Sequence, residues 1–209
     1  MEYAADSNAL IRIEHLLDVY FPGFPSEGWP THPSNVFTFR RILLRTGAHI
    51  MGSFPLFCLC SSGAYRSWVS PGDMDIFLRP CNLSETCANL RLFEELFAAC
   101  GYYPVLNPLM TPYLSLIPAM IVLTFVKAGI NDLKIQIIFH PFFPSSQLWY
   151  VRFMGSFDLS CCCVAYDGER FWVTRDNENP TSQPVKVRHW NHSTRERVVK
   201  YLRRGFSFV

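Results

Sequence analysis

The stretch "AHIMGSFPLFCLCSSGAYRSWVSPGDMDIFLRP", residues 48 to 80, sets a Gly-Ser pair after one apolar run and two aspartates, one residue apart, inside another. Residues 48 to 52 read as a short strand, 53 to 60 as a buried helix beginning at Ser53, and 73 to 78 as a second strand. In an extended chain side chains alternate faces, so Asp73 and Asp75 point one way while Met74 and Ile76 point the other. Like charges held that close repel one another unless a cation lies between them.

Working outward, "SNALIRIEHLLDVYF" carries apolar residues at 9, 10, 13, 16, 17 and 20, the spacing of an amphipathic helix with Asp6 or Ser7 as its cap. "PGFPSEGWPTHP" is a loop of four prolines and two glycines, after which Ser34 caps a helix running to about Thr46 and Gly47 ends it. Beyond the aspartates, "NLSETCANLRLFEELFAACG" predicts a helix with apolar positions 83, 87, 90, 93 and 97 and a stop at Gly101. The period then changes to two, and "MIVLTFVKAG", "LKIQIIFH", "DLSCCCVAYDG" and "RFWVTR" read as strands. "HSTRERVVKYLRRGF" closes as a helix capped by Ser193 or Thr194, with Val198, Tyr201 and Leu202 on one face. This order predicts an α+β or mixed α/β domain around one sheet, with residues 1–33 an N-terminal helix and proline-rich loop and 34–209 the main body.

With 209 residues, 49% hydrophobic and 17% charged, the chain has apolar material for one buried domain and too little charge for disorder. The formal charge is +2, but residues 186 to 209 hold seven Lys or Arg against the single acid Glu196, a basic end on a nearly neutral body. With no apolar leader, and with Cys161, Cys162 and Cys163 consecutive among eight cysteines, an intracellular, cytoplasmic, reduced protein is expected, its cysteines acting as small buried hydrophobes. Apolar runs such as "IPAMIVLTFV" are about half the ~20 residues that span a bilayer, so no membrane partner is expected.

Gly52-Ser53 at a strand-to-helix junction, followed by Asp73-Met74-Asp75-Ile76 in the next strand, resembles the signature of the nucleotidyltransferase fold of the DNA polymerase β superfamily. "GSFPL", Trp68 before "PGDMDIF", "FDLSC" and "KYLRRGF" together resemble a group of nucleotidyltransferase-like proteins of fungi and large DNA viruses, over about residues 40 to 206. The resemblance implies a nucleotidyltransferase-like mixed sheet flanked by helices, binding a nucleoside triphosphate with Mg2+ or Mn2+. Asp73 and Asp75 would hold the metal, and Gly52 and Ser53 would meet the phosphates. Chemically this is apt: Mg2+ takes one or two carboxylates together with phosphate oxygens, and a helix start offers N–H groups to an anion. The implied reaction moves a nucleotidyl group from the triphosphate to a hydroxyl on protein, RNA or a small molecule.

A third carboxylate is expected on a neighbouring strand, yet in "LKIQIIF" Gln136 holds the centre, and a neutral amide is a poor Mg2+ ligand. Asp158 in "SFDLSC" is the alternative; a backbone-bonded strand-end aspartate is the plain reading of the same residue. Lys134 shares a strand face with Gln136 and could reach a triphosphate, or be a solvated strand-end lysine. Arg197, Lys200, Arg203 and Arg204 could form a stripe for RNA, or complement the dipole of a packed helix. The readings left open are an active nucleotidyltransferase, a lapsed one that binds a nucleotide or partner protein, and an unrelated interaction protein with Asp73 and Asp75 on its surface.

Overall fold

The computed structural model describes residues 2–3, 7–23, 34–60, 68–105, 120–127, 129–139, 149–174, 180–181, 184–191 and 193–209. In chain order its elements are β1 (Glu2–Tyr3), α1 (Ser7–Tyr20), α2 (Asn35–Thr46), β2 (His49–Met51), α3 (Ser53–Leu59), β3 (Met74–Phe77) and α4 (Leu83–Ala99). They continue as β4 (Tyr102–Val105), β5 (Ile121–Lys127), β6 (Ile130–Phe139), α5 (Trp149–Gly155), β7 (Val164–Tyr166), β8 (Phe171–Val173) and α6 (Thr194–Arg203). The expected cap Asp6 and most of the proline-rich loop lie outside the described residues.

The strands form one mixed sheet in the order β1-β8-β7-β2-β3-β6-β5-β4, in which β3 and β6 run parallel and the other neighbouring pairs antiparallel. The fold is α+β, as the change of hydrophobic period predicts. Strand alternation divides the interior in two. Ile50, Met74, Ile76, Ile135 and Ile137 pack in one core with Ile13 and Leu17 of α1, Phe39 and Leu43 of α2, and Phe93 and Phe97 of α4. Met51, Phe77 and Ile138 form a second cluster with Trp149, Tyr150, Phe153 and Met154 of α5.

The helix signals near the decisive stretch hold. Ser34 Oγ accepts from the Phe37 N–H at 3.1 Å, and Gly47 closes α2 in the left-handed conformation, φ 62°. Elsewhere the structure departs from expectation. In α4 Phe93, Leu96 and Phe97 reach the core and Thr86 is buried near the start, while Leu83 is exposed. The expected strand from Asp158 is only β7; before it the chain bends and makes a 3-10 turn at Ser160–Cys162. Ser160 causes this, for its N–H donates to the Lys186 carbonyl (3.0 Å) and its Oγ accepts from the Lys186 N–H (2.9 Å). Cys161, Cys162 and Cys163 are buried and unbridged, as expected of small hydrophobes. Ser193 stands at the N-cap of α6, as one expectation had it, but its side chain makes no capping bond: Asn191 Oδ1 accepts from the Ser193 and Thr194 N–H groups, at 3.0 and 3.1 Å. On α6 Tyr201 is buried but Leu202 is exposed, and the chain turns back to bury Phe206. No helix among the described residues is long and apolar enough to cross a membrane.

Candidate functional site

The turn from β2 into α3 passes through Gly52 at φ 88°, ψ −131°, a conformation that only glycine adopts without strain, and its N–H is anchored on the Val164 carbonyl at 3.0 Å. Gly52 and Ser53 thereby lie on the same cavity as Asp73 and Asp75. Ser53 Oγ donates to the Pro71 carbonyl at 3.0 Å, so the serine steadies the segment that delivers Asp73. Two more groups grip that segment. Tyr20 of α1 donates its hydroxyl to the Gly72 carbonyl at 2.8 Å, and the Arg204 guanidinium, after α6, stacks 4.2 Å from the Trp68 ring centre and 4.9 Å from Tyr201. Arg204 is thereby buried, which removes it from the expected RNA-facing stripe.

Asp73 Oδ2 is 2.9 Å from Lys134 Nζ, both side chains being partly exposed. Asp75 lies deeper. It pairs in register with Met51 on β2 and with Gln136 on β6, and its Oδ1 is buried with no hydrogen-bond partner among the described residues. Burial first, and the Asp73 charge second, push the Asp75 carboxyl up to about 7, against the attraction of Arg197, Lys134 and Lys200. The same two aspartates add to burial in raising the Tyr20 hydroxyl.

Asp158 is buried and occupied. Its Oδ1 is 2.7 Å from an Arg197 nitrogen, and its Oδ2 accepts from Thr194 Oγ1 at 3.1 Å, so both oxygens hold α6. Neither the strand-end nor the catalytic expectation included this ion pair. Arg197 also donates to Cys162 Sγ at 3.4 Å.

One cavity of about 420 Å³ gathers these groups. Gly52, Ser53, Asp73, Asp75, Lys134 and Asp158 all line it, so the residues expected at the metal and the triphosphate come to one place, while Arg203 and Arg204 do not reach it. Gln136, Arg197 and Lys200 join them. Of the rest, Met51, Phe77, Met120, Val122, Ile138, Phe153 and Phe157 form an apolar wall that nothing in the sequence marks apart from the strand runs, and Ser156, Asn191, Glu196 and Tyr201 complete the lining. Desolvation first, then the Arg204 charge, draws the Lys200 amine below its ordinary value.

These residues fit one divalent cation that arrives carrying most of its own ligands. The unpartnered Asp75 oxygen and the exposed Asp73 carboxylate are suitable donors, whereas the position facing Asp75 is an amide and Asp158 is held by Arg197. Among the described residues no group of three or more His, Cys, Asp or Glu converges on a metal position. No protein-family model, no curated protein and no solved structure matches the chain.

Proposed function

We propose that this chain is a nucleotidyltransferase-fold enzyme that binds a nucleoside triphosphate with Mg2+ or Mn2+ and transfers the nucleotidyl group to a hydroxyl. The observation carrying this reading is the meeting of the Gly52-Ser53 turn, Asp73, Asp75, Lys134 and Lys200 on one cavity, with an unpartnered carboxylate oxygen at its centre. Asp73 and Asp75 would hold the cation, which supplies charge neutralisation on the phosphates. Lys134 and Lys200 attract the triphosphate and stabilise the departing pyrophosphate, and the first N–H groups of α3 orient it. Asp158 keeps α6, and with it Lys200, over the cleft through Arg197.

A second reading, nucleotide binding without transfer, is favoured by one observation: Gln136 stands where a third carboxylate would activate the hydroxyl. Incubating the chain with each labelled nucleoside triphosphate and Mg2+ or Mn2+, with protein, RNA and small hydroxyl compounds present, separates the two. Transfer lost in Asp75→Asn supports the enzyme. Saturable triphosphate binding with no transfer supports the binder, and no binding removes both.

A further inference from the structure

Asp75 and Phe77 lie on one face of β3, with Gln136 and Ile138 beside them in register on β6, and Asp73, just before β3, is ion-paired with Lys134 of β6. Val122 of β5 pairs with Ile138 and continues the last row. The cavity therefore has a direction. Ser53, Asp73, Lys134 and Lys200 lie at its polar end, and Asp75 and Gln136 in the middle. Phe77, Val122, Ile138, Phe153 and Phe157 lie at the other end, roughly 7 Å further along the strands. The Phe77 ring is 5.7 Å from Phe153 and 5.8 Å from Phe157, an aromatic wall. The cation nearest this end is Arg197, whose charge is met by Asp158, the residue next to Phe157.

Resting on the nucleotidyl-transfer reading, we propose that the apolar end is the acceptor subsite and that it takes a small phenolic compound. In phosphoryl-type transfer the attacking and leaving oxygens lie roughly in line across the phosphorus. With pyrophosphate drawn to Lys134 and Lys200 and the α-phosphorus beside Asp75, the attacking hydroxyl enters from the Phe77 side. A nucleic-acid end would carry phosphates to a region whose nearby cation, Arg197, is already paired with Asp158, whereas an aromatic ring matches its walls. A phenol, with a pKa of about 10, also gives up its proton far more readily than an aliphatic alcohol, so it needs less help from a base. This suits a site with Gln136 in place of a third carboxylate. In the step, the phenolic oxygen forms a bond to the α-phosphorus and the bond from that phosphorus to the bridging oxygen breaks. Pyrophosphate leaves with that oxygen and its electron pair, and the phenolic proton passes to water.

The test is calorimetric titration of the full chain with 4-methylphenol, alone and with Mg2+ plus a nucleoside triphosphate analogue whose α,β-bridging oxygen is replaced by methylene. The expected result is saturable binding of the phenol, retained or tightened when the analogue is bound. Phe157→Ala and Val122→Asn should each weaken the phenol roughly tenfold and leave the analogue's affinity unchanged. Both residues are partly buried and belong to different elements, so if one variant melts early the other decides. Competition between phenol and analogue overturns the proposal, because the apolar end would then hold the nucleobase. Analogue binding without phenol binding overturns it while sparing the nucleotide reading. Phenol binding without analogue binding means the nucleotide reading itself has failed, and the acceptor assignment with it.

Discussion

Asp75 on β3 and Gln136 on β6 stand in register across a parallel strand pair, a carboxylate with a buried, unpartnered oxygen opposite an amide. Replacing the amide by a carboxylate is therefore a direct test of what the cleft lacks. Gln136→Asp should raise Mg2+-dependent nucleotidyl transfer by about tenfold or more, the scale of a positioned base. Three carboxylates without a cation repel, so the variant should melt lower than the parent in chelator and recover with Mg2+, as followed by thermal scans.

For Asp75→Asn the sign of the pH effect is determined by burial. The folded carboxyl titrates at about 7 against an ordinary 3.8, so its stabilising contribution is whole below 3.8 and lost as pH rises through 7. The asparagine variant should gain over the parent as pH rises, by roughly 3 °C in melting temperature at pH 8, while losing metal-dependent triphosphate binding. An equal loss of stability at pH 5 and pH 8 would mark Asp75 as a structural acid.

His49 pulls the other way over nearly the same window. Buried and stacked on Tyr150 at 4.6 Å, its imidazole is lowered to about 4 from 6.5, burial being the main cause. Its contribution is present above 6.5 and lost as pH falls toward 4. Melting curves of His49→Phe, subtracted from those of the parent, should isolate this loss, which the opposite trend of Asp75 masks in the parent alone.

Removing Asp158 leaves the Arg197 guanidinium without its closest charge partner and Thr194 with only the His189 carbonyl, at 3.3 Å, as acceptor. Asp158→Ala should cost about 3 kcal/mol by denaturant titration, and Thr194→Val about 1 kcal/mol. A variant that keeps full stability but loses transfer would instead make Asp158 a catalytic acid.

The two arginines that end the basic run should behave unlike each other. Arg204→Ala removes the stack on Trp68 and Tyr201 and should cost about 1–2 kcal/mol, with weaker Mg2+-triphosphate binding because the Asp73 segment loosens. Arg203→Glu, on an exposed position, should change stability by less than about 0.5 kcal/mol. Thermal scans and triphosphate titrations of the pair check both.

The centre of this arrangement was legible because its signals are local. Gly52-Ser53 marks a strand-to-helix boundary by backbone chemistry, and Asp-x-Asp in a strand places two carboxylates on one face by alternation alone. What escaped was set by tertiary partners. Helix α5, "WYVRFMG", is short and apolar nearly all round, so no period distinguishes it from a buried strand. The bend at Asp158 depends on hydrogen bonds from Ser160 to Lys186, 26 residues away, and on the pairing of Asp158 with Arg197. Asn191 supplies the capping acceptor although Ser193 and Thr194 offer the same chemistry nearer the apolar run. That Gln136 would face Asp75 itself was a matter of strand neighbours, which spacing does not specify.

The segment from Trp68 to Asp73 is gripped by Tyr20, 52 residues from its partner Gly72, and by Arg204, which belongs to the far end of the described chain. Such contacts close long loops, and loop closure is the slow, entropically costly part of folding. During synthesis β2 and β3 can pair early, but β1 waits for β8 and the Asp73 segment lacks its Arg204 contact until the residues after α6 have left the ribosome. The cleft is then the last part of the molecule to take shape, so a nascent or C-terminally clipped chain carries the aspartates without the geometry that gives them a use.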